Sequence, residues 1–282
     1  MKKILIYIAV LLLPIMASAQ ANISTKRVKI GDFTQKTTKV VLTGNMFYDS
    51  MLEDEITARW RISPYEFCSL EEFEDLKTNE EFYFLLTVKG QFKKETEPGL
   101  QFLTLVKGGD KASDSISEMF EIISFPFASA EDPSGRETIF FPTFLEIIQA
   151  YINDSMDKDI HAYGGLSNSS LNLPETKDMT IIFSEDDICA DIINKVDTLY
   201  FDQTMVIKPE EDADKYMTDS ETHAVISYTA RPANEAAGSY CYKMLIDNQS
   251  HKLYYYRKHK ISKKFKAGFL EEDIKRIASY RD

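Results

Sequence analysis

Apolar residues recur along this chain at two spacings, and the order in which the spacings appear is repeated. Lys39-Val40-Val41-Leu42 is a short run of strand type, and Leu52, Ile56 and Trp60 follow at the four-residue interval of one helical face. Tyr65 to Cys68 reads as a second strand and Leu70 to Leu76 as a short acidic helix. Phe82 to Val88 and Leu100 to Val106 are two further strands, parted by the turn dipeptide Pro98-Gly99. From Met179 the series returns. Thr180 to Phe183 is a strand, Ile188, Ile192 and Val196 form the helical stripe, and Thr204 to Ile207 is the next strand. Glu210 to Asp214 opens an acidic helix behind Pro209, a residue favoured at helix starts. His223 to Thr229 and Tyr240 to Ile246 complete the set.

Phe67, Phe82 and Leu100 thus reappear as Val206, His223 and Tyr240, about 140 residues later, and self-similarity at a fixed offset marks a repeated unit. Side-chain identity between the copies is thin; order and spacing carry the match. The expected fold is α/β (α+β), two tandem pseudo-repeated lobes, each a small mixed sheet of about four to five strands with flanking helices.

The rest of the pattern fills in around the repeat. Ile116, Phe120 and Ile123 suggest a helix that ends near Pro126, and Asp132 to Gly135 is a turn signal. Pro142 is expected to start another helix, with Leu145, Ile148 and Ile152 on one face. Gly164-Gly165, Asn168-Ser169-Ser170 and Pro174 have the composition of a linker. Asn248-Gln249-Ser250 reads as a hairpin turn before Lys252 to Arg257. A last helix carries Phe269-Leu270, Ile274 and Ile277 on its apolar side, with acids near its start and bases near its end, as the helix dipole favours. The expected division is 1–19 signal peptide, 20–38 extended lead-in, 39–160 first lobe with a helical extension, 161–176 linker and 177–282 second lobe.

The N-terminus changes the picture most. Lys2-Lys3 precedes an apolar run from Ile4 to Met16, about 13 residues, inside the 7–15 of a signal-peptide core. Ala17-Ser18-Ala19 supplies small residues for cleavage between Ala19 and Gln20. A spanning helix needs about 20 apolar residues, and this run contains Pro14. No cysteine follows to take a lipid. The expected address is the periplasm or the exterior, with no transmembrane anchor in the mature chain. The formal charge is −12, and loss of Lys2 and Lys3 makes the mature chain more acidic still. Such a balance opposes general binding to nucleic acid or anionic lipid.

Candidate chemistry is sparse. Cys68, Cys189 and Cys241 are odd in number and widely spaced; two lie in apolar strands and one beside a helical stripe, so buried free thiols are expected, with a Cys189–Cys241 bridge as the alternative. No pair has metal-ligand spacing. The histidines, His161, His223, His251 and His259, form no HExxH, and there is no GxSxG, P-loop or dinucleotide fingerprint. No catalytic, cofactor-binding or metal-ligating residue is therefore assigned. His223, beside Asp219 and Glu221 at a strand start, is the nearest approach to an acid–base group. The acidic runs at Glu71-Glu72 and Glu210-Glu211-Asp212 lack the ligand spacing of a calcium loop and read as solvated helix faces.

Two surface features remain. Arg257-Lys258-His259-Lys260, continuing to Lys266, is the one basic island; with Tyr254 and Tyr256 beside Arg257, Lys258 and Lys260 it suggests a grip for an anionic partner. Asp-Ser/Thr-aliphatic triplets place Ser50, Ser115, Ser155 and Thr198 where they resemble the O-glycosylation acceptors of exported Bacteroides-type proteins, provided each is exposed.

The chain also resembles, over nearly its whole length, a family of exported proteins from Bacteroides-like bacteria. The likeness runs from the signal sequence through Val40 to Asn45, Arg59 to Ile62 and Ser239 to Ile246, to Lys258-His259-Lys260-Ile261. It implies a cell-envelope address and carries no activity and no catalytic residues. At fold level alone, the element order is similar to small α/β domains of envelope assembly factors. The expected role is non-catalytic binding or assembly, an envelope protein or a glycan being received in an interlobe groove or along a sheet edge. The alternative is a periplasmic hydrolase acting on glycan or peptide between the lobes.

Overall fold

The computed structural model describes residues 30–113, 116–157, 165–193, 200–219 and 221–280. The signal sequence, the cleavage pair Ala19 and Gln20, and most of the lead-in lie outside the described residues, as do Ser115, His161, Val196 and Thr198.

Two five-stranded sheets share one topology. The first contains β1 (Thr37–Val41), β2 (Tyr65–Cys68), β3 (Phe82–Gly90), β4 (Leu100–Lys107) and β5 (Phe120–Ser129), in the order β2-β1-β3-β4-β5. The second contains β6 (Thr180–Ser184), β7 (Met205–Lys208), β8 (Ala224–Ala230), β9 (Tyr240–Asp247) and β10 (Leu253–Lys260), in the order β10-β9-β8-β6-β7. Read from the other edge, the orders coincide. Val40 pairs in parallel with Phe67 and Leu85, and Ile182 occupies the matching place between Val206 and Ile226. Both halves then turn antiparallel. The two tandem lobes are real.

Connection chemistry explains the order. Parallel neighbours need a crossover, and α1 (Met46–Arg59) supplies it from β1 to β2. The return to β3 must pass β1 in the opposite direction, so right-handed connection sends α2 (Leu70–Leu76) to the other face. Leu52 and Ile56 of α1 accordingly pack in the core shared by both lobes, and Phe73 of α2 packs on the outer face against Phe84. Local caps fix both helix starts: Asn45 accepts from the amides of Phe47 and Tyr48, and Ser69 and Glu72 form a reciprocal capping box.

The segment read as a helix around Ile116 to Ile123 is mostly β5. Ile116–Glu118 is a single 3₁₀ turn, and from Phe120 the chain pairs antiparallel with β4. Ile116, Phe120 and Ile123 fit helical spacing, but Ile123, Phe125 and Phe127 also fit strand alternation, and the exposed β4 ladder decides between them. Pro142 does not start its helix. It lies inside α3 (Arg136–Asp157), which begins at Arg136. Phe140, Phe141 and Phe144 are fully buried between the lobes, and this packing holds the extra N-terminal turn despite the amide that proline removes. In the second half α4 (Ala190–Ile193) follows β6 and α5 (Glu210–Thr218) follows β7, and the final helix α6 (Glu271–Ser279) echoes α3, each following the fifth strand of its sheet.

The segment expected as a linker is ordered where described. Leu166–Thr176 is a 3₁₀ helix with Leu166, Leu173 and Thr176 buried, and Ser170 Oγ accepts from the amide of Tyr256 on β10.

The inner faces of both sheets meet in one core. Val40, Leu85, Phe125 and Phe144 from the first half join Ile182, Ile226, Tyr228 and Met244 from the second. Tyr228 packs against Phe140 and Phe144 at ring-centroid distances of 4.7 and 5.1 Å, and its hydroxyl donates to the carbonyl of Phe127. Tyr228 and Phe127 lie near the ends of β8 and β5, so the carboxyl ends of both sets of parallel strands lie at the same end of the molecule. No described helix is long and apolar enough to cross a membrane.

Candidate functional site

Two concavities lie along the junction of the lobes, at opposite ends. The larger is a groove of about 1040 Å³ at the end where the parallel strands begin. Its floor is the second half of α3, including Gln149, Tyr151 and Asn153. One wall is the loop Arg59 to Ile62 after α1; the other is the 3₁₀ helix with Asn168, Leu171 and Asn172, together with the hairpin Ser250 to Leu253.

The groove's charged and framing groups are largely engaged within the protein. Arg61 turns its guanidinium onto the carbonyls of Thr57, Ala58 and Trp60, capping the end of α1. Arg59 pairs with Glu55 at 2.7 Å. Gln149 is buried; its Oε1 accepts from the amide of Arg61 at 2.8 Å and its Nε2 donates to the carbonyl of Arg59 at 3.1 Å, fastening α1 to α3. His251 and Thr143 share a 2.8 Å hydrogen bond across the lobes. Burial holds the His251 imidazole below its usual range, and nearby Arg59 adds to the effect. The side chains of Asn153, Asn168 and Asn172 have no hydrogen-bonding partner among the described residues, and Leu171 is 76% exposed at the rim. The arrangement presents amide donors and acceptors beside apolar surface and the carboxylates of Glu146 and Asp154, with no unpaired lysine or arginine in the lining among the described residues.

The smaller concavity, about 340 Å³, lies at the carboxyl end of the strands. Arg136 opens α3 there and is buried. Its Nε donates to both carboxylate oxygens of Asp214 at 2.8 Å, its Nη1 to Asp187 at 2.9 Å and its Nη2 to the carbonyl of Ser227 at 2.9 Å. Asp187 also accepts from the hydroxyls of Ser227 and Thr229, both at 2.6 Å. Burial would raise the Asp187 carboxyl, but Arg136 and these hydroxyls hold it below the usual range. Burial pushes Asp214 up to about 6; Arg136 opposes the rise, while Asp187 and Glu210 reinforce it. Burial raises Glu210 as well. Divergent carboxyl pKa values of this kind can mark acid–base sites. Here Asp187 and Asp214 are buried and turned to Arg136, so they clasp the lobes; only Glu210 is partly open to the cavity.

Sequence reasoning missed Arg136, Asp187, Asp214 and Gln149. Each is an ordinary polar residue in an ordinary local pattern, and only the meeting of the lobes makes it special. Asp214 belongs to the acidic helix α5 (Glu210–Thr218), whose Glu211 and Asp212 are solvated as expected.

Tyr254 and Tyr256 are 3% and 8% exposed, inside the cores on opposite sides of the shared design, and offer no face to a partner. A register shift in β10 between Leu253 and Tyr255 sends the two rings to opposite, covered faces, while Lys258 and Lys260, further along the strand, remain exposed near the ring of Tyr240. Arg257 turns to Asp273 and Glu272. His223 lies 2.7 Å from Asp247, which also accepts from the amides of Gln249 and Ser250 and so braces the β9–β10 turn. Among the described residues no serine hydroxyl or cysteine thiol is hydrogen-bonded to that pair. Cys68, Cys189 and Cys241 are all buried and free. Ser50 is exposed on α1, whereas Ser155 is 5% exposed and donates to the carbonyl of Tyr151, which removes it as a glycan acceptor in the folded chain. Among the described residues no group of three or more His, Cys, Asp and Glu side chains is placed to hold a metal ion.

No known family model matches the chain, and no curated protein or solved structure matches it significantly.

Proposed function

We propose that this is an exported cell-envelope protein, periplasmic or secreted, that binds an uncharged glycan in the interlobe groove without transforming it. One observation carries the reading. The groove sets the side-chain amides of Asn153, Asn168 and Asn172 beside Tyr151, Ile62 and Leu171, while Arg59 and Arg61 are engaged by the protein itself. Amides supply paired donors and acceptors that suit hydroxyl groups, and apolar surface suits the faces of sugar rings. The signal-type segment Ile4 to Met16 supports the address.

The test is calorimetric titration of the mature chain with neutral envelope oligosaccharides. Binding is expected, and joint Asn168→Ala and Asn172→Ala should weaken it by about tenfold or more, the cost of leaving ligand hydroxyls without partners. An unchanged melting temperature would show that the loss is local. No binding, or binding indifferent to both substitutions, overturns the proposal.

The second reading, hydrolysis of glycan or peptide between the lobes, draws on the raised carboxyl of Glu210, which lines the smaller concavity. It predicts release of new reducing ends or amines on incubation with glycan or peptide, abolished by Glu210→Gln.

A further inference from the structure

Of the large hydrophobic side chains left exposed among the described residues, Met46, Phe47 and Leu70 follow the carboxyl ends of two neighbouring strands, β1 and β2, at one corner of the first sheet. They are 86%, 78% and 55% exposed. Met46 and Phe47 begin α1 behind β1, and Leu70 begins α2 behind β2. The amide of Leu42 donates to the carbonyl of Cys68 at 2.9 Å, which sets the ends of the two strands side by side. The corner is firmly built. Asp49 accepts from the amides of Thr43 and Gly44, and Asn45 caps the helix, so the loop is satisfied without help from Met46 or Phe47. Gly44 itself has φ +84, a conformation that side chains rarely adopt. Glu71 and Glu72, both exposed, edge the corner with negative charge.

A second corner has the opposite sign. Between β10 and α6, Phe265 is 40% exposed among Lys263, Lys264 and Lys266, which are all exposed. This loop is held in shape too: the amide of Ser262 donates to the carbonyl of Phe265 at 2.8 Å, the amide of Phe265 donates back to Ser262 Oγ at 3.0 Å, and His259 Nε2 lies 2.7 Å from the carbonyl of Lys266. The Lys264 ammonium sits 5.1 Å from the centre of the Phe265 ring.

We infer that the protein pairs with a second copy of itself, the acidic Met46–Phe47–Leu70 corner of each copy receiving the basic Phe265 loop of the other. The chain supplies both halves of the contact, apolar anchors within rims of opposite charge. In a molecule of formal charge −12, like surfaces repel, and association is steered to places where the signs differ. Placement allows closure. β10 runs parallel to β6, and the two lobes are aligned through Tyr228 and Phe127, so both corners face the end where β1 and β10 finish. A two-fold axis at that end forms both contacts at once, the closed arrangement most homodimers adopt.

The experiment is sedimentation velocity of the mature full chain over a wide range of concentration and salt. The dimer fraction should rise with concentration and fall with added salt. Met46→Ser with Phe47→Ser, and separately Phe265→Ser, should each weaken pairing about tenfold or more, as truncated interface anchors do. All these positions are on the surface, and a melting curve for each variant confirms folding. Charge reversal gives the sharpest readout. Glu71→Lys with Glu72→Lys should be monomeric, and so should Lys263→Glu with Lys264→Glu. Mixing the two reversed proteins should restore the dimer, because both contacts again join opposite signs. A chain that is monomeric throughout overturns the inference, as does a dimer indifferent to these substitutions or a mixture that stays monomeric.

Discussion

Arg136 and Asp187 lie 2.9 Å apart, Nη1 to carboxylate, although one opens the helix that leaves the first sheet and the other follows the first strand of the second. Both are almost fully buried. A guanidinium in that position is tolerated only because Asp187, Asp214 and the Ser227 carbonyl meet its donors.

Removing one partner of such a group leaves the others charged and unmatched. Arg136→Met should cost about 3–5 kcal/mol of stability. Both lobes should still unfold in one transition, since they share a core. Urea denaturation followed by fluorescence and circular dichroism checks both points; two separate transitions in the native chain would contradict a shared core.

The same cluster sets a pH dependence. Burial lifts the folded Asp214 carboxyl to about 6, against an ordinary value of about 4. The folded chain thus holds a proton that the unfolded chain has released, and the stabilisation this gives is full below about pH 4 and lost as pH rises through about 6. Asp32 works in the opposite sense. Burial opposes its ionisation, but hydrogen bonds from Tyr83, Lys36 and Lys107 hold it at about 2, so its contribution is present above about pH 4 and lost as pH falls toward 2. Asp214→Asn should flatten the stability profile between about pH 4 and 6 while leaving the acid limb in place.

A second buried pair anchors the C-terminal helix. Lys243 on β9 donates to Asp273 in the first turn of α6, and Asp273 also accepts from Tyr255 Oη at 2.5 Å and from the amide of Leu270 at 2.8 Å. Lys243→Met alone should destabilise by about 3–5 kcal/mol, and combining it with Asp273→Leu should recover part of that loss, because no lone charge remains inside. Denaturant midpoints of the single and double variants test this.

The thiols should be silent in the native state. Burial pushes Cys241 up to about 12 and Cys68 up to about 11, and in both the neutral form predominates at physiological pH. Labelling with a thiol-specific reagent should modify none of the three cysteines until denaturant is added, and then all three.

The repeat was legible because each element is specified locally. Val40, Phe67 and Leu85 lie in short runs of branched and aromatic residues, Leu52 and Ile56 keep the helical interval, and Ser69 with Glu72 spells a cap, so strand, helix and boundary follow from local pattern alone. Ile116 to Ile123 is a short apolar run that satisfies either period, and the choice falls to the free edge of β4, a partner close in sequence but invisible in the pattern. Tyr254 and Tyr256 have the look of a binding face because aromatic residues lie beside lysines, yet a register shift between Leu253 and Tyr255 turns the two rings to opposite sides of β10, and both sides are covered there. The groove and the Arg136 clasp required more. They join residues from both halves of the chain, and whether an arginine or an asparagine is engaged or free depends on what the other lobe brings against it. Spacing along the chain determined the two sheets. Their meeting face to face, which buried Arg136 and opened the amide-lined groove, was decided by tertiary packing, because burial and pairing of polar groups are properties of the assembled interior.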